Sequence, residues 1–434
     1  MLSLSRLRGE LFWIVDRLKG SPIRQHYLEI QNVLDNPLSD KSLKIRKQNL
    51  SRLLEHAVTN TSFYKSKDGY NSLQDFTVIN KNEILKKYQD FKSSVFKDSD
   101  LFKVYSSGST GVPFSILQDN IKRSRNTADA IYFLELAGGI LGDKLFFMKL
   151  WDQKNQKGRI TSWFQNVYAH NVMDSNNKDL EVLAKRIENY KSTKNIIGYP
   201  SFFEELCSYL NGLKETREFE NVNTIISIAE SLKDFEKGLM AKYFNCPVFE
   251  RYSNQENGIL AQQTIKNPNK YILNWASYNF EVLKVDSNEH VNIGEVGRLV
   301  VTDLFNYAMP MIRYDTGDMV VYEETESGHP YISSIYGRRM DTIFDIKGKI
   351  VSPHIFYMVL DYGEMKQFQF VQVGQKEYKF RINGDKQDVR EDMIVTYFKK
   401  YLGEEAIISF EYVDEIPLLS SGKRKKIVNE YKKS

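Results

Sequence analysis

The chain has 434 residues, 41% of them hydrophobic and 27% charged, and 60 basic against 56 acidic side chains give a formal net charge of +4. That length allows two or three domains with sizeable cores, and the composition excludes disorder, collagen and coiled coil. The small, dispersed charge excludes a nucleic-acid footprint, while only two cysteines, Cys207 and Cys246, exclude a disulfide framework or zinc cluster and point to a reducing cytoplasm.

From Leu2 to Gly20, Leu4, Leu7, Leu11, Ile14 or Val15, and Leu18 share one helical face, with Arg6, Arg8, Arg17 and Lys19 elsewhere. The spacing predicts an amphipathic helix whose apolar face either packs on the body of the protein or docks on a membrane surface. A second helix is predicted over Lys41 to Thr59. No apolar run reaches bilayer-crossing length, and no signal-peptide pattern opens the chain.

From about residue 100 short β-branched or aromatic runs alternate with helical segments, which implies α/β layering. Strands are expected at Lys144 to Leu150, Thr224 to Ile228, Val248 to Tyr252, Gly297 to Thr302 and Met319 to Tyr322. Helices are expected at Leu180 to Lys191, Ser201 to Leu213 and Asp234 to Tyr243. Beyond Gly337 a compact series of strands and one helix, Val389 to Tyr401, reads as a separate small α+β domain. The expected division is 1–336 and 337–434.

The run Tyr105-Ser106-Ser107-Gly108-Ser109-Thr110-Gly111-Val112-Pro113 can fold backbone N–H groups around phosphate oxygens, with Ser and Thr hydroxyls as further donors; it also fits an ordinary Ser/Gly turn. In Arg251-Tyr252-Ser253-Asn254-Gln255-Glu256 an aromatic able to stack on a base precedes by four residues a carboxylate able to hold Mg²⁺; a solvated strand end is the alternative. In Tyr314-Asp315-Thr316-Gly317-Asp318, Asp318 at a Gly turn can accept from both hydroxyls of a ribose, and the same residues are a plain turn signature. Arg338 and Asp341 lie in Gly337-Arg338-Arg339-Met340-Asp341. Lys423 ends Pro417 to Lys423, where a Ser-Gly turn presents a mobile charge beside a lysine-rich tail. The six histidines show no metal-ligand spacing, and neither cysteine sits in a setting that would make it a nucleophile.

In order and spacing these motifs resemble the adenylate-forming ligase superfamily, and within it the phenylacetate-coenzyme A ligase family, in particular its CapK-like branch associated with capsule and surface-polysaccharide biosynthesis. The chain departs from the common pattern at Phe114, where many members carry lysine, and at Ser253, Gln255 and Met340. The resemblance implies a large layered N-terminal α/β domain and a small mobile α+β C-terminal domain turning about Asp341. It implies ATP-dependent activation of a carboxylic acid to an acyl adenylate with release of pyrophosphate. Ser106 to Gly111 would cradle the β- and γ-phosphates, Ala229-Glu230-Ser231 would line the adenine, Tyr252 would stack on it, and Asp318 would hold the ribose. Glu256 would bind Mg²⁺, Arg338 would assist near ribose or phosphate, and Lys423 would stabilise the α-phosphate transition state. The acceptor stays open among coenzyme A, another thiol, an amine and a hydroxyl. A nucleotidyl transferase moving AMP to a hydroxyl, and a non-catalytic nucleotide-binding relative, are the alternatives. The expected place is the cytoplasm, at the inner face of the membrane if residues 1–20 dock there rather than pack on the body.

Overall fold

The computed structural model describes the chain apart from residues 1–3, 107–113, 152–164, 214–216, 230, 231, 233, 339–342, 352, 418–424 and 432–434. The described residues divide into two compact units, one of residues 1–316 and 321–334, the other of 317–320 and 335–434.

The first unit opens with helices α1 (Leu4–Leu18), α2 (Pro22–Asp35) and α3 (Asp40–Asn60). Pro22 in the first turn of α2 needs no N–H partner. Asp16 supplies the missing acceptor for that helix, taking hydrogen bonds from the backbone N–H of Ile23 (3.1 Å) and Arg24 (2.9 Å). Ser39 caps α3. Short helices α4 (Lys81–Lys86) and α5 (Tyr88–Phe91) lead to a hairpin of β1 (Phe102–Ser106) and β2 (Phe114–Gln118), and then to the long helix α6 (Asn120–Leu136).

Five parallel strands follow in space in the order β4-β3-β5-β6-β7: β3 (Lys144–Lys149), β4 (Val167–Asn171), β5 (Lys194–Gly198), β6 (Val222–Ile228) and β7 (Val248–Asn254). The crossovers are α7 (Asn177–Asn189), α8 (Pro200–Asn211) and α9 (Asp234–Phe244), as parallel pairing requires. Successive residues of one strand point to opposite faces. Ile225 packs with Phe203, Leu183 and Phe244 on one side, while Ile226 packs with Ala137, Ile197 and Phe249 on the other. Burial on both faces explains why consecutive positions such as Phe146-Phe147, Ile196-Ile197 and Ile225-Ile226 are apolar. The sheet continues through β8 (Gly258–Gln262), β9 (Tyr271–Leu273), β10 (Tyr278–Leu283), β11 (Val296–Asp303), β12 (Tyr314–Glu324) and β13 (Pro330–Arg338).

Within the second unit β14 (Gln367–Gln372), β15 (Glu377–Asn383), helix α10 (Glu391–Leu402), β16 (Ile407–Tyr412) and β17 (Ile427–Asn429) build a mixed sheet in the order β16-β15-β14-β17. Its core is aromatic: Phe356, Phe370, Phe380 and Phe398 are all fully buried. The molecule is thus a large layered α/β unit with a small α+β unit. Among the described residues no helix is long and apolar enough to cross a membrane.

Two sequence expectations change. Thr316-Gly317-Asp318 is not a turn but lies inside the continuous strand β12, where Gly317 takes φ +77° without breaking the strand. The apolar stripe of α1 does not pack on the body of the protein. Leu7, Leu11, Ile14 and Leu18 are exposed, while Ser5, Gly9 and Asp16 are buried and Phe12 and Trp13 are half-buried.

Candidate active site

Paired strands β4, β3, β5 and β6 end at residues 171, 149, 198 and 228, β7 runs on to Asn254, and in open α/β sheets ligands bind outside the carboxyl ends of such strands. Three features mark this edge. Ala229, directly after β6, holds φ +70°, a left-handed conformation that costs a non-glycine residue about 1–2 kcal/mol and is kept where the local path is over-determined. Parallel pairing places Ile228 beside Arg251, so Ala229 and the half-buried Tyr252 follow at the same level. The β7–β8 register slips between Tyr252 and Ser253, a bulge of the kind that re-aims a side chain at a strand end.

The turn joining β7 to β8 carries Glu256, which is buried. Its carboxylate accepts a hydrogen bond from the buried Tyr314 hydroxyl (3.1 Å), and its backbone oxygen accepts one from Gln118 (3.4 Å). Gly258 lets the turn close, with φ +113°. A Cβ there would lie 2.8 Å from Asn126 Oδ1 and 3.0 Å from the Tyr278 hydroxyl.

Beneath the turn lies a buried polar frame. Lys122 and Asp303, both fully buried, pair at 2.7 Å, and Lys122 also donates to the Tyr278 hydroxyl (3.1 Å), which donates to the Asn257 carbonyl (2.6 Å). Arg125 donates to the Ser277 hydroxyl, the Ala276 carbonyl and Glu29; Asp129 accepts from Asn274 and Ser277. Asp119 caps α6 through the N–H of Lys122 and takes the N–H groups of Tyr307 and Ala308. Burial raises the carboxyls of Asp129 and Asp303 above the ordinary aspartate range, opposed by the cations beside them. The frame ties the hairpin β1–β2, helix α6 and the Glu256 turn into one rigid assembly.

β12 is anchored in the same manner. Arg313, buried and at φ +53°, forms a bidentate pair with Glu281 (3.0 and 2.9 Å) and donates to the Phe76 carbonyl (3.0 Å). Arg298 pairs with Asp315 at 2.8 Å, and the Thr316 hydroxyl donates to the Leu299 carbonyl. These contacts fix Tyr314, and through it the Glu256 carboxylate. Asp318 lies four residues further along the same strand and is half-buried.

Of the sequence-predicted residues, Glu256, Tyr252, Ala229 and Asp318 are therefore described. Ser106 and Arg338 are placed as the last residues of β1 and β13. Ser107, Gly108, Ser109, Thr110, Gly111, Glu230, Ser231, Asp341 and Lys423 lie outside the described residues. The residues that flank the Ser/Gly run are nevertheless paired, since Ser106 faces Phe114 across the hairpin. Two groups join the site that the motifs alone do not single out. Asn257 is fully buried, and its side-chain oxygen and nitrogen have no hydrogen-bond partner among the described residues. Arg251 donates through Nε to Gln262 (2.6 Å), its Nη2 is buried without a partner there, and burial pushes its guanidinium down to about 10. An unspent polar group inside a core is the signal; it is invisible in a sequence read one residue at a time.

The oxygen chemistry suits a hard cation. Glu256 supplies one buried carboxylate and Asn257, next to it in the chain, one unpartnered carbonyl oxygen, both of the donor type that Mg²⁺ prefers. The cysteines are inert, for burial pushes both thiols up to about 12. Phe202 and Phe203 belong to the core beneath β5, and Trp151 donates its indole N–H to the Phe147 carbonyl (3.1 Å).

A large layered α/β unit, a small α+β unit and these strand ends define the fold of adenylate-forming ligases. The chain superposes on a 2-hydroxyisobutyryl-CoA ligase in the postadenylation state in complex with R3-HIB-AMP, with a TM-score of 0.71 at 15% identity over 90% of each chain. It also superposes on the amide bond synthetase McbA from Marinactinospora thermotolerans, with a TM-score of 0.57 at 14% identity over 76% of this chain and 68% of that one. Residues 343–430 match the CapK C-terminal domain family. Protein CapK of Staphylococcus aureus is 23% identical, the alignment covering 98% of this chain and 96% of that protein.

Proposed function

We propose that this protein is an AMP-producing, adenylate-forming ligase that activates a carboxylic acid with ATP, releases pyrophosphate and passes the acyl group to a thiol or amine. The observation that carries the reading is the Glu256 turn, held against Tyr314 by a buried polar frame at the carboxyl edge of the parallel strands. The structures it resembles are a CoA ligase holding an acyl-AMP and an amide bond synthetase, which supports a thiol or an amine as acceptor. Likeness to CapK supports a place in surface-polysaccharide biosynthesis.

In the first half-reaction a carboxylate oxygen of the acid attacks the α-phosphorus of ATP, the bond to the β-phosphate oxygen breaks, and pyrophosphate leaves. Both reactants are anionic, so the site must neutralise charge and hold them in line. Tyr252 stacks on the adenine, with the strained turn at Ala229 shaping the other wall. Asp318 accepts from the ribose hydroxyls. The backbone of Ser106 to Gly111 binds the β- and γ-phosphates, and the hairpin pairing of Ser106 with Phe114 sets where that run begins and ends. Glu256 with Asn257 would hold Mg²⁺, which supplies charge neutralisation at phosphate oxygens. Lys423 stabilises the α-phosphate as negative charge builds on it, and Arg338 assists near the ribose. In the second half-reaction the acceptor attacks the acyl carbonyl, AMP leaves and the acceptor's proton is released. A small domain moving about Asp341 admits that acceptor and keeps water from the adenylate. The compact unit made of residues 335–434 together with 317–320 supports a domain boundary near 336/337.

The test is ATP-dependent pyrophosphate release with hydroxylamine as trap, across aryl, acyl, amino and sugar acids, for the wild type and Lys423→Ala. Release confined to one acid class, and lost in the variant, is expected. ATP binding without pyrophosphate release on the whole panel would contradict the proposal.

A further inference from the structure

The N-terminal helix is built inside out for a helix whose purpose is packing. Its inward face is small or polar: Ser5 and Asp16 are buried, and Gly9 lies so close to the turn at Leu141 that a Cβ would sit 2.8 Å from the Leu141 carbonyl oxygen. Gly142 meets it from the other side, at φ +96°, where a Cβ would lie 2.7 Å from the backbone nitrogen of Gly9. Asp16 locks the following helix as its N-terminal acceptor. Arg24 stacks over Trp13 at 4.7 Å, and Trp13 packs edge-on against Tyr27 at 5.5 Å. The Tyr27 hydroxyl donates to Glu135 of α6 (2.5 Å). The helix is therefore fixed to the body through Ser5, Gly9, Trp13 and Asp16, and not through its aliphatic stripe.

Four large aliphatic side chains point outward. Leu7 is 56% exposed, Leu11 41%, Ile14 53% and Leu18 82%. At about 100° per residue these four fall within an arc of roughly 60°, a continuous stripe along the whole helix. Arg6 and Arg17 lie on one shoulder of the stripe, beside Glu10, and Arg8 and Lys19 on the other. Leaving four large aliphatic side chains in water costs burial free energy that an inward turn of the helix would recover, so the close Gly9–Gly142 contact holds an apolar face out at the expense of stability.

We infer that α1 is an interfacial anchor that docks this protein on an anionic lipid surface through Leu7, Leu11, Ile14 and Leu18, with Arg6, Arg17, Arg8 and Lys19 placed to meet phosphate headgroups. Charge selects this occupant over a second copy of the chain. An apolar stripe with basic shoulders complements acidic lipid, whereas two copies laid stripe to stripe bring the same cations together. The inference stands apart from the chemistry proposed for the catalytic edge, since none of these side chains is part of it.

The experiment is co-sedimentation of the full chain with vesicles of equimolar phosphatidylglycerol and phosphatidylcholine, and with phosphatidylcholine alone. It is run for the wild type and for Leu7→Gln/Ile14→Gln/Leu18→Gln, with sedimentation velocity on both proteins in parallel. The wild type is expected to pellet with the anionic vesicles and to release as salt rises, and the triple variant to bind about tenfold or more weakly with its thermal midpoint unchanged. Three outcomes would overturn the inference: a wild type that stays in the supernatant with anionic vesicles, a triple variant that binds as the wild type does, or a wild-type dimer that the triple variant dissolves.

Discussion

The polar frame under the Glu256 turn and the aromatic core of the small unit are both fully buried, yet they are held by opposite means. The frame places Lys122, Asp303, Arg125, Asp129, Arg313 and Glu281 out of water and joins each to named partners. In the small unit the stacked rings of Phe356 and Phe370, with centroids 4.1 Å apart, pack with Phe380 and Phe398 and need no directional bond. Buried ion pairs barely exceed their desolvation cost, so they are a poor way to gain stability and a good way to fix geometry. Apolar packing does the reverse. The large unit uses directional pairing where the Glu256 turn and the β1–β2 hairpin are held together, and the small unit uses apolar packing.

Breaking the frame at its centre should give the largest effect on stability. Lys122→Met leaves Asp303 charged and unpaired in the core and is expected to cost about 3–5 kcal/mol, seen as a lowered denaturation midpoint. Adding Asp303→Leu should recover much of that loss while pyrophosphate release stays impaired, which separates geometry from stability. In the small unit Phe370→Ala is expected to cost about 3 kcal/mol by opening a cavity. Calorimetry should show that loss in the transition of the small unit.

A pH dependence sharpens the contrast. Burial beside Arg125 pushes His26 down from 6.5 to about 4. A group whose folded value is depressed stabilises the fold in its neutral form. That contribution is complete above about pH 6.5 and is lost as the pH falls toward 4. The urea midpoint of the wild type should fall across this window by an amount worth about 1–2 kcal/mol after allowing for partial exposure, and His26→Gln should flatten the slope. The smallest effect is expected for Tyr314→Phe, which removes one hydrogen bond to Glu256 at a cost of about 1 kcal/mol. Pyrophosphate release should then fall more than the melting midpoint does, because the bond orients a carboxylate more than it stabilises the chain.

Much of this architecture is legible in the chain. Ile225-Ile226 and Val248-Phe249 are apolar at consecutive positions because both faces are covered, and the strands stand where those runs predict them. Helix α6 escapes such a reading for a physical reason. Its buried face carries Lys122, Arg125 and Asp129, so a polarity pattern reports the opposite of its true orientation. α1 misleads in the mirror sense, with its leucines outward. Glu256 and Tyr252 are legible by spacing, but the partner that holds Glu256, Tyr314, is distant in sequence and is found only once β7 and β12 are placed. Thr316-Gly317-Asp318 shows how little a turn signature decides alone: sheet pairing absorbs the glycine into β12. Asn257 carries no motif at all, and only its burial without a partner brings it to notice.

The claim that the buried frame serves an adenylation site is tested most directly by Glu256→Gln, assayed for acid-dependent pyrophosphate release beside the wild type at matched thermal midpoints. The account predicts a loss of about 10²–10³-fold with the fold intact, because the amide keeps the shape and the Tyr314 contact while removing the negative charge. Undiminished release from a correctly folded Glu256→Gln protein would contradict it.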